Sequence, residues 1–115
     1  MRLYLAGPMR GIPDFNFPVF YTAAAYLRSL GYDVFNPAEE DHKAHGNDVD
    51  PATLDIREVF ERDTRWICQF ADGVALLPGW DKSLGARAEL SLARALSLRV
   101  RYLLCSDTGQ WMMVE

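Results

Sequence analysis

Two carboxylates occupy positions that a purely solvated role does not explain. From about Leu54 to Phe70, the residues Ile56, Val59, Phe60, Ile67 and Phe70 recur at intervals of three and four and form one apolar helix face. Asp63 lies inside that face, three residues after Phe60 and four before Ile67. From about Leu84 to Leu98, Ala86, Ala93 and Leu96 make a second stripe, and Glu89 falls within it. An ionised carboxylate on an inward face is costly unless it is paired or hydrogen-bonded. The plainer reading gives Glu89 a salt bridge to Arg57, Arg62 or Arg65, and Asp63 a bond to nearby backbone. Two such residues on different helices, near the same end of the fold, point instead to a pair that works together.

Cleavage of a glycosidic bond needs such a pair. Positive charge builds on the anomeric carbon, one carboxylate stabilises it and then bonds to the carbon, and a second acid protonates the leaving group. Retaining glycosidases hold these groups roughly 5 Å apart, and neighbouring carboxylates push their pKa values apart. Ser83-Leu84-Gly85 opens the second of these helices, where free N–H groups and the positive dipole end suit an anion. Ser83 would cap the helix or donate to a phosphate, and Gly85 lets a ligand approach the backbone. Gly7-Pro8-Met9-Arg10-Gly11 is a second anion candidate, equally readable as a turn with a solvated arginine; it is neither a Walker loop nor a GxGxxG fingerprint.

Other residues read more plainly. Asp72 is structural or close enough to orient a base. Trp80 and Asp81 follow the third strand, where the indole would stack on a nucleobase or join the core; Phe15 and Phe17 offer the same choice. His42 and His45 read as solvated loop histidines, without partners at metal spacing.

The elements that must position these residues alternate. Arg2 to Ala6 reads as a buried strand closed by Gly7-Pro8, and a helix from about Phe17 to Leu30 follows, with Asn16 as its cap and Gly31 as its stop. Tyr32 to Phe35 is a second strand, ended by Asn36-Pro37. The polar stretch 38–53 reads as a long loop. After the helix that carries Asp63, Gly73 to Leu77 is a third strand. After the helix that carries Glu89, Val100 to Leu104 is a fourth, and the last ten residues are a short helix or an edge strand. Alternation of this kind predicts an α/β fold: a Rossmann-like, flavodoxin-like three-layer sandwich with a four- to five-stranded, mainly parallel sheet. Ligands bind such sheets beyond the carboxyl ends of the strands, where strand order reverses; Gly7–Ile12 and Pro78–Gly85 belong there.

Composition sets outer bounds. The 115 residues, half of them apolar and 24% charged, suit a single domain at 1–115. A chain this small offers a shallow pocket, which a neighbouring copy would complete, so a homodimer or higher homo-oligomer is expected. The net charge of −4 argues against a nucleic-acid polymer but not against a single nucleotide. Cys68 and Cys105, in apolar stretches, read as buried free thiols. With no leader before the first strand and no apolar run of membrane length, a cytoplasmic protein is expected.

Three segments together resemble the nucleoside 2-deoxyribosyltransferase superfamily: Tyr4-Leu5-Ala6-Gly7-Pro8-Met9-Arg10-Gly11, then Asp63 with Ala71-Asp72, then Ser83-Leu84-Gly85-Ala86-Arg87-Ala88-Glu89. The last looks most like the deoxynucleoside 5′-monophosphate N-glycosidases. Phe15-Asn16-Phe17-Pro18 and Asn36-Pro37-Ala38-Glu39 resemble a compact phage and bacterial branch. The resemblance implies Glu89 as nucleophile, Asp63 as acid/base, Tyr4 as the aromatic hydroxyl near sugar and nucleophile, and Arg10, Ser83 and Gly85 as phosphate contacts. Gly7, Gly11, Asp72, Trp80 and Asp81 complete the expected substrate site. Serine rather than a carboxylate six residues before the glutamate is the pattern of the monophosphate hydrolases. Those hydrolases carry a C-terminal serine that reaches the neighbouring subunit's phosphate site; Gly109-Gln110-Trp111-Met112-Met113 offers none. The expected activity is hydrolysis of a (deoxy)nucleoside 5′-monophosphate without metal or organic cofactor. Base exchange by a transferase, or a nucleotide-binding module without chemistry, are the alternatives.

Overall fold

The computed structural model describes residues 1–45 and 55–115. Five strands, β1 (Arg2–Ala6), β2 (Asp33–Phe35), β3 (Gly73–Leu76), β4 (Arg99–Cys105) and β5 (Trp111–Val114), form one sheet in the order β2-β1-β3-β4-β5. The first four are parallel, and β5 runs antiparallel along β4. Helices α1 (Phe17–Ser29), α2 (Pro37–His45), α3 (Ile56–Phe70) and α4 (Leu84–Ala95) flank the sheet, giving the three-layer, Rossmann-like α/β sandwich that the alternation predicts. The chain leaves β1 toward β2 on one side and returns to β3 on the other. The strand order therefore reverses between β1 and β3, which opens a crevice at their carboxyl ends.

Side-chain alternation along the strands divides the core in two. Leu3 and Leu5 of β1 pack with Ala75, Leu77 and Leu103 against Phe20, Ala23, Ala24 and Leu27 of α1. Tyr4 and Ala6 point the other way and pack with Val74 and Leu76 against Ile67 of α3 and Ala86, Leu90 and Ala93 of α4. The even-numbered residues of β1 thus face the two helices that carry the carboxylates. Parity turns Tyr4 toward the side of the sheet on which Asp63 and Glu89 lie.

Several expectations change. Residues 38–45 are helical rather than a loop: Asn36, expected to stop a strand, caps α2 through an Ala38 N–H bond to its side-chain oxygen (2.9 Å), with Pro37 at the first position. The helix lacks an apolar stripe, so periodicity could not reveal it; residues 46–53 of the expected loop lie outside the described residues. His42, expected in a solvated loop, is half-buried on α2, stacked on Tyr21 and set edge-on to Phe17. Asn16 precedes α1 in a left-handed conformation and makes no capping bond; its side chain instead donates to the Pro8 carbonyl at 2.9 Å. α4 stops at Ala95, three residues early, because Ser97 turns left-handed at φ 58°. Cys68 and Cys105 are free but exposed, Cys68 lying on the outer face of α3 beside the inward Ile67. The ambiguous tail is the edge strand β5.

Candidate functional site

A cavity of about 390 Å³ occupies the crevice at the carboxyl end of β1. Tyr4 forms its floor, with Asp63 from α3 and Glu89 from α4 on its walls. All three are almost wholly buried, at 1%, 4% and 7% exposure. The Tyr4 hydroxyl donates to Glu89 Oε2 at 2.5 Å. The charge of Asp63 also raises the pKa of the Tyr4 hydroxyl and of Glu89, so the three groups are electrostatically coupled.

Neither plainer reading of the acids describes this arrangement. Glu89 has Tyr4, not an arginine, as its hydrogen-bond partner among the described residues. Asp63 is held not by backbone but by its neighbour, Arg62, whose Nε lies 2.8 Å from Oδ1. Arg62 Nη1 also reaches Asp41 Oδ1 of α2 at 2.8 Å, a third buried carboxylate on the cavity wall.

Burial dominates the electrostatics. It pushes Glu89 from its ordinary 4.5 up to about 8; the Tyr4 hydrogen bond opposes the rise, the nearby Asp63 charge adds to it, and Arg62 opposes it. Burial also carries Asp63 from 3.8 to about 6, restrained by the Arg62 charge and hydrogen bond. Tyr4 is held well above the usual phenol range by burial and by the charge of Glu89. Burial thus favours the protonated form of both acids, Glu89 more strongly than Asp63, so between about pH 6 and 8 the pair holds one proton and one charge.

The opposite rim is cationic. Arg10, from the segment after β1, and Lys82, from the turn before α4, both line the cavity. Ser83 caps α4 by accepting from Ala86 N at 3.1 Å, which leaves the Leu84 and Gly85 N–H groups at the rim without an intrahelical acceptor. Apolar residues complete the walls: Met9 and Phe15 after β1, Phe20 of α1, and Ile56, Val59 and Phe60 of α3. Phe15 reaches its place through an unusual run, Asp14, Phe15 and Asn16 all having φ between 55° and 63°.

The structure brings Tyr4, Gly7, Arg10, Asp63, Ser83, Gly85 and Glu89 to one cavity, but not the other four expected residues. Asp72 precedes β3 and accepts from Arg2 N at 2.7 Å; it lies at the amino end of the sheet, opposite the cavity. Trp80 turns away to pack on Tyr102. Asp81 is exposed, and Gly11 sits in an exposed turn at φ 80°. Gly7 has a packing reason to be glycine, since a Cβ there would meet Leu77 Cβ at 2.7 Å. Gly85 has none, its nearest contact being Phe60 Cε2 at an ordinary 3.7 Å. Sequence reasoning missed Asp41 and Lys82. Asp41 was hidden in a helix read as loop, while Lys82, one residue before Ser83, could have been noticed as a cation at a helix start.

Among the described residues, no group of three or more His, Cys, Asp or Glu is placed to hold a metal ion. Among them, too, no helix is long and apolar enough to cross a membrane. Residues 1–102 match the family described as Domain of unknown function (DUF4406). No curated protein matches the chain.

Proposed function

The chain belongs to the DUF4406 family, and from its cavity, together with the resemblance of its motifs to the nucleoside 2-deoxyribosyltransferase superfamily, we propose that it is a retaining N-glycosidase acting on a (deoxy)nucleoside 5′-monophosphate. One observation carries this reading: two buried carboxylates from different helices line one cavity with Tyr4, whose hydroxyl donates to Glu89, and the rim of that cavity is cationic. The volume suits a small-molecule ligand. Acids deep in the cavity and Arg10, Lys82 and the start of α4 at its rim orient a molecule that is anionic at one end and becomes cationic at the other.

The reaction begins with the shared proton moving from Glu89 to Asp63, beside the Tyr4 hydroxyl that donates to Glu89. A Glu89 oxygen bonds to the anomeric carbon as the carbon–nitrogen bond breaks, and Asp63 passes its proton to the departing base. Asp63 then takes a proton from water, whose oxygen displaces Glu89 from the anomeric carbon. The products are free base and sugar 5-phosphate. A second base in place of water would make the same site a transferase.

Chromatography of a nucleoside monophosphate panel tests the reading. Wild-type protein should release free base, and Glu89→Ala should lower the rate by at least about 10³-fold, the scale of losing a nucleophile. A 2-fluoro-2-deoxy analogue should label Glu89. Nucleotide binding with no base released by the wild type would instead mark a binding module.

A further inference from the structure

Asp63 is tied through Arg62 to Asp41, two residues to which the proposed reaction gives no role. Both acids line the cavity and are buried, at 1% and 4% exposure, and they belong to different helices. One guanidinium serves both: Nη1 meets Asp41 Oδ1 at 2.8 Å, and Nε meets Asp63 Oδ1 at 2.8 Å. Nη2 also lies 2.8 Å from Asp63 Oδ1, yet it is buried without an aligned hydrogen bond among the described residues. This bridge concentrates its positive charge on one oxygen of Asp63.

We propose that Arg62 is a positioning residue: gripped by Asp41 of α2, it keeps Asp63 the charged member of the carboxylate pair and leaves the stored proton to Glu89. Its part in turnover rests on the glycosidase reading; its electrostatic effect does not. The role matters most in the second half of the reaction. Once Glu89 is esterified, Asp63 must remain charged to take a proton from water, and burial works against that charge. Arg62 supplies the counter-charge, and Asp41 sets how much of it Asp63 receives. Four titratable or charged groups act directly on Asp63: Arg62 on α3, Asp41 on α2, Tyr4 on β1 and Glu89 on α4. Arg10 and Lys82 stand farther out at the rim.

Carboxyl ¹³C NMR titration of Asp63 and Glu89 reads the effect without requiring turnover. Arg62→Gln should raise the Asp63 midpoint by about one pH unit or more, the effect of removing an adjacent opposite charge. Arg62→Lys should recover most of the shift by restoring the charge without the fork. Asp41→Asn should move the midpoint down, since it removes a like charge that competes for Arg62. Asn retains an oxygen acceptor for Nη1, so this variant decides the matter if Arg62→Gln does not fold. An Asp63 midpoint unmoved in Arg62→Gln, or unmoved or raised in Asp41→Asn, overturns the proposal. Shifted midpoints in a protein that releases no base uphold the electrostatic role and overturn only the glycosidase reading. Base release with unmoved midpoints does the reverse.

Discussion

At the scale of single residues, the proposed chemistry depends on a proton held between two largely buried acids. A site with carboxyls at about 6 and about 8 should show a bell-shaped dependence of kcat/KM, falling below about pH 6 and above about pH 8. The same groups set the stability of the fold, with a definite sign. Glu89 titrates at 4.5 when unfolded and about 8 when folded, so the native state binds the extra proton in between. Its contribution is complete below about pH 4.5 and is lost as pH rises through about 8; Asp63 acts in the same sense between 3.8 and about 6. Thermal melts should therefore show Tm declining from pH 4.5 to 8.5. Glu89→Gln should flatten that decline and melt above the wild type at pH 8.5, by the equivalent of about 1–2 kcal/mol. A Gln variant destabilised at pH 8.5 would mean that the charged glutamate is a structural tie rather than a costly group kept for chemistry.

At the scale of elements, what was legible depended on whether a residue's surroundings left a periodic trace. Asp63 and Glu89 stood out because they interrupt apolar stripes, and the parallel sheet followed from alternation. Parity along β1, which sends Tyr4 toward α3 and α4, was implicit in the strand but took meaning only from the register β1 shares with β3. α2 left no stripe: of its nine residues only Ala38 is an apolar core member, so its Asp41 went unnoticed. Asp72 misled because nearness in sequence to a strand does not tell which end of the sheet a residue joins. Gly85 separates packing from binding at the start of α4. No neighbour would obstruct a Cβ there, and alanine is the better helix former by about 1 kcal/mol. Gly85→Ala should leave Tm unchanged or higher. On the proposed function it should raise KM several-fold for a nucleoside monophosphate and little for the matching nucleoside, which has no phosphate to set against that backbone.

At the scale of the whole molecule, the distribution of charge runs against its sum. The chain carries a net charge of −4, which repels a dianionic nucleotide at long range. Arg10 and Lys82 reverse the field locally at the cavity rim, and both are exposed. Exposed charges are screened over about 8 Å at physiological ionic strength and over about 3 Å at 1 M. The short-range attraction at the rim and the longer-range repulsion therefore respond differently to salt. From very low salt to about 0.1 M, screening removes mostly the distant repulsion, the Debye length falling to about 10 Å, so KM for a nucleoside monophosphate should change little or fall. From there to 1 M the rim contacts weaken and KM should rise several-fold. The nucleoside, with no charge to steer, should show neither phase. Arg10→Gln and Lys82→Gln should each diminish the high-salt rise while leaving kcat close to wild type, since neither touches the carboxylate pair. A salt response equal for nucleotide and nucleoside would place the phosphate away from this rim, and with it the orientation that brings the glycosidic bond down to Glu89.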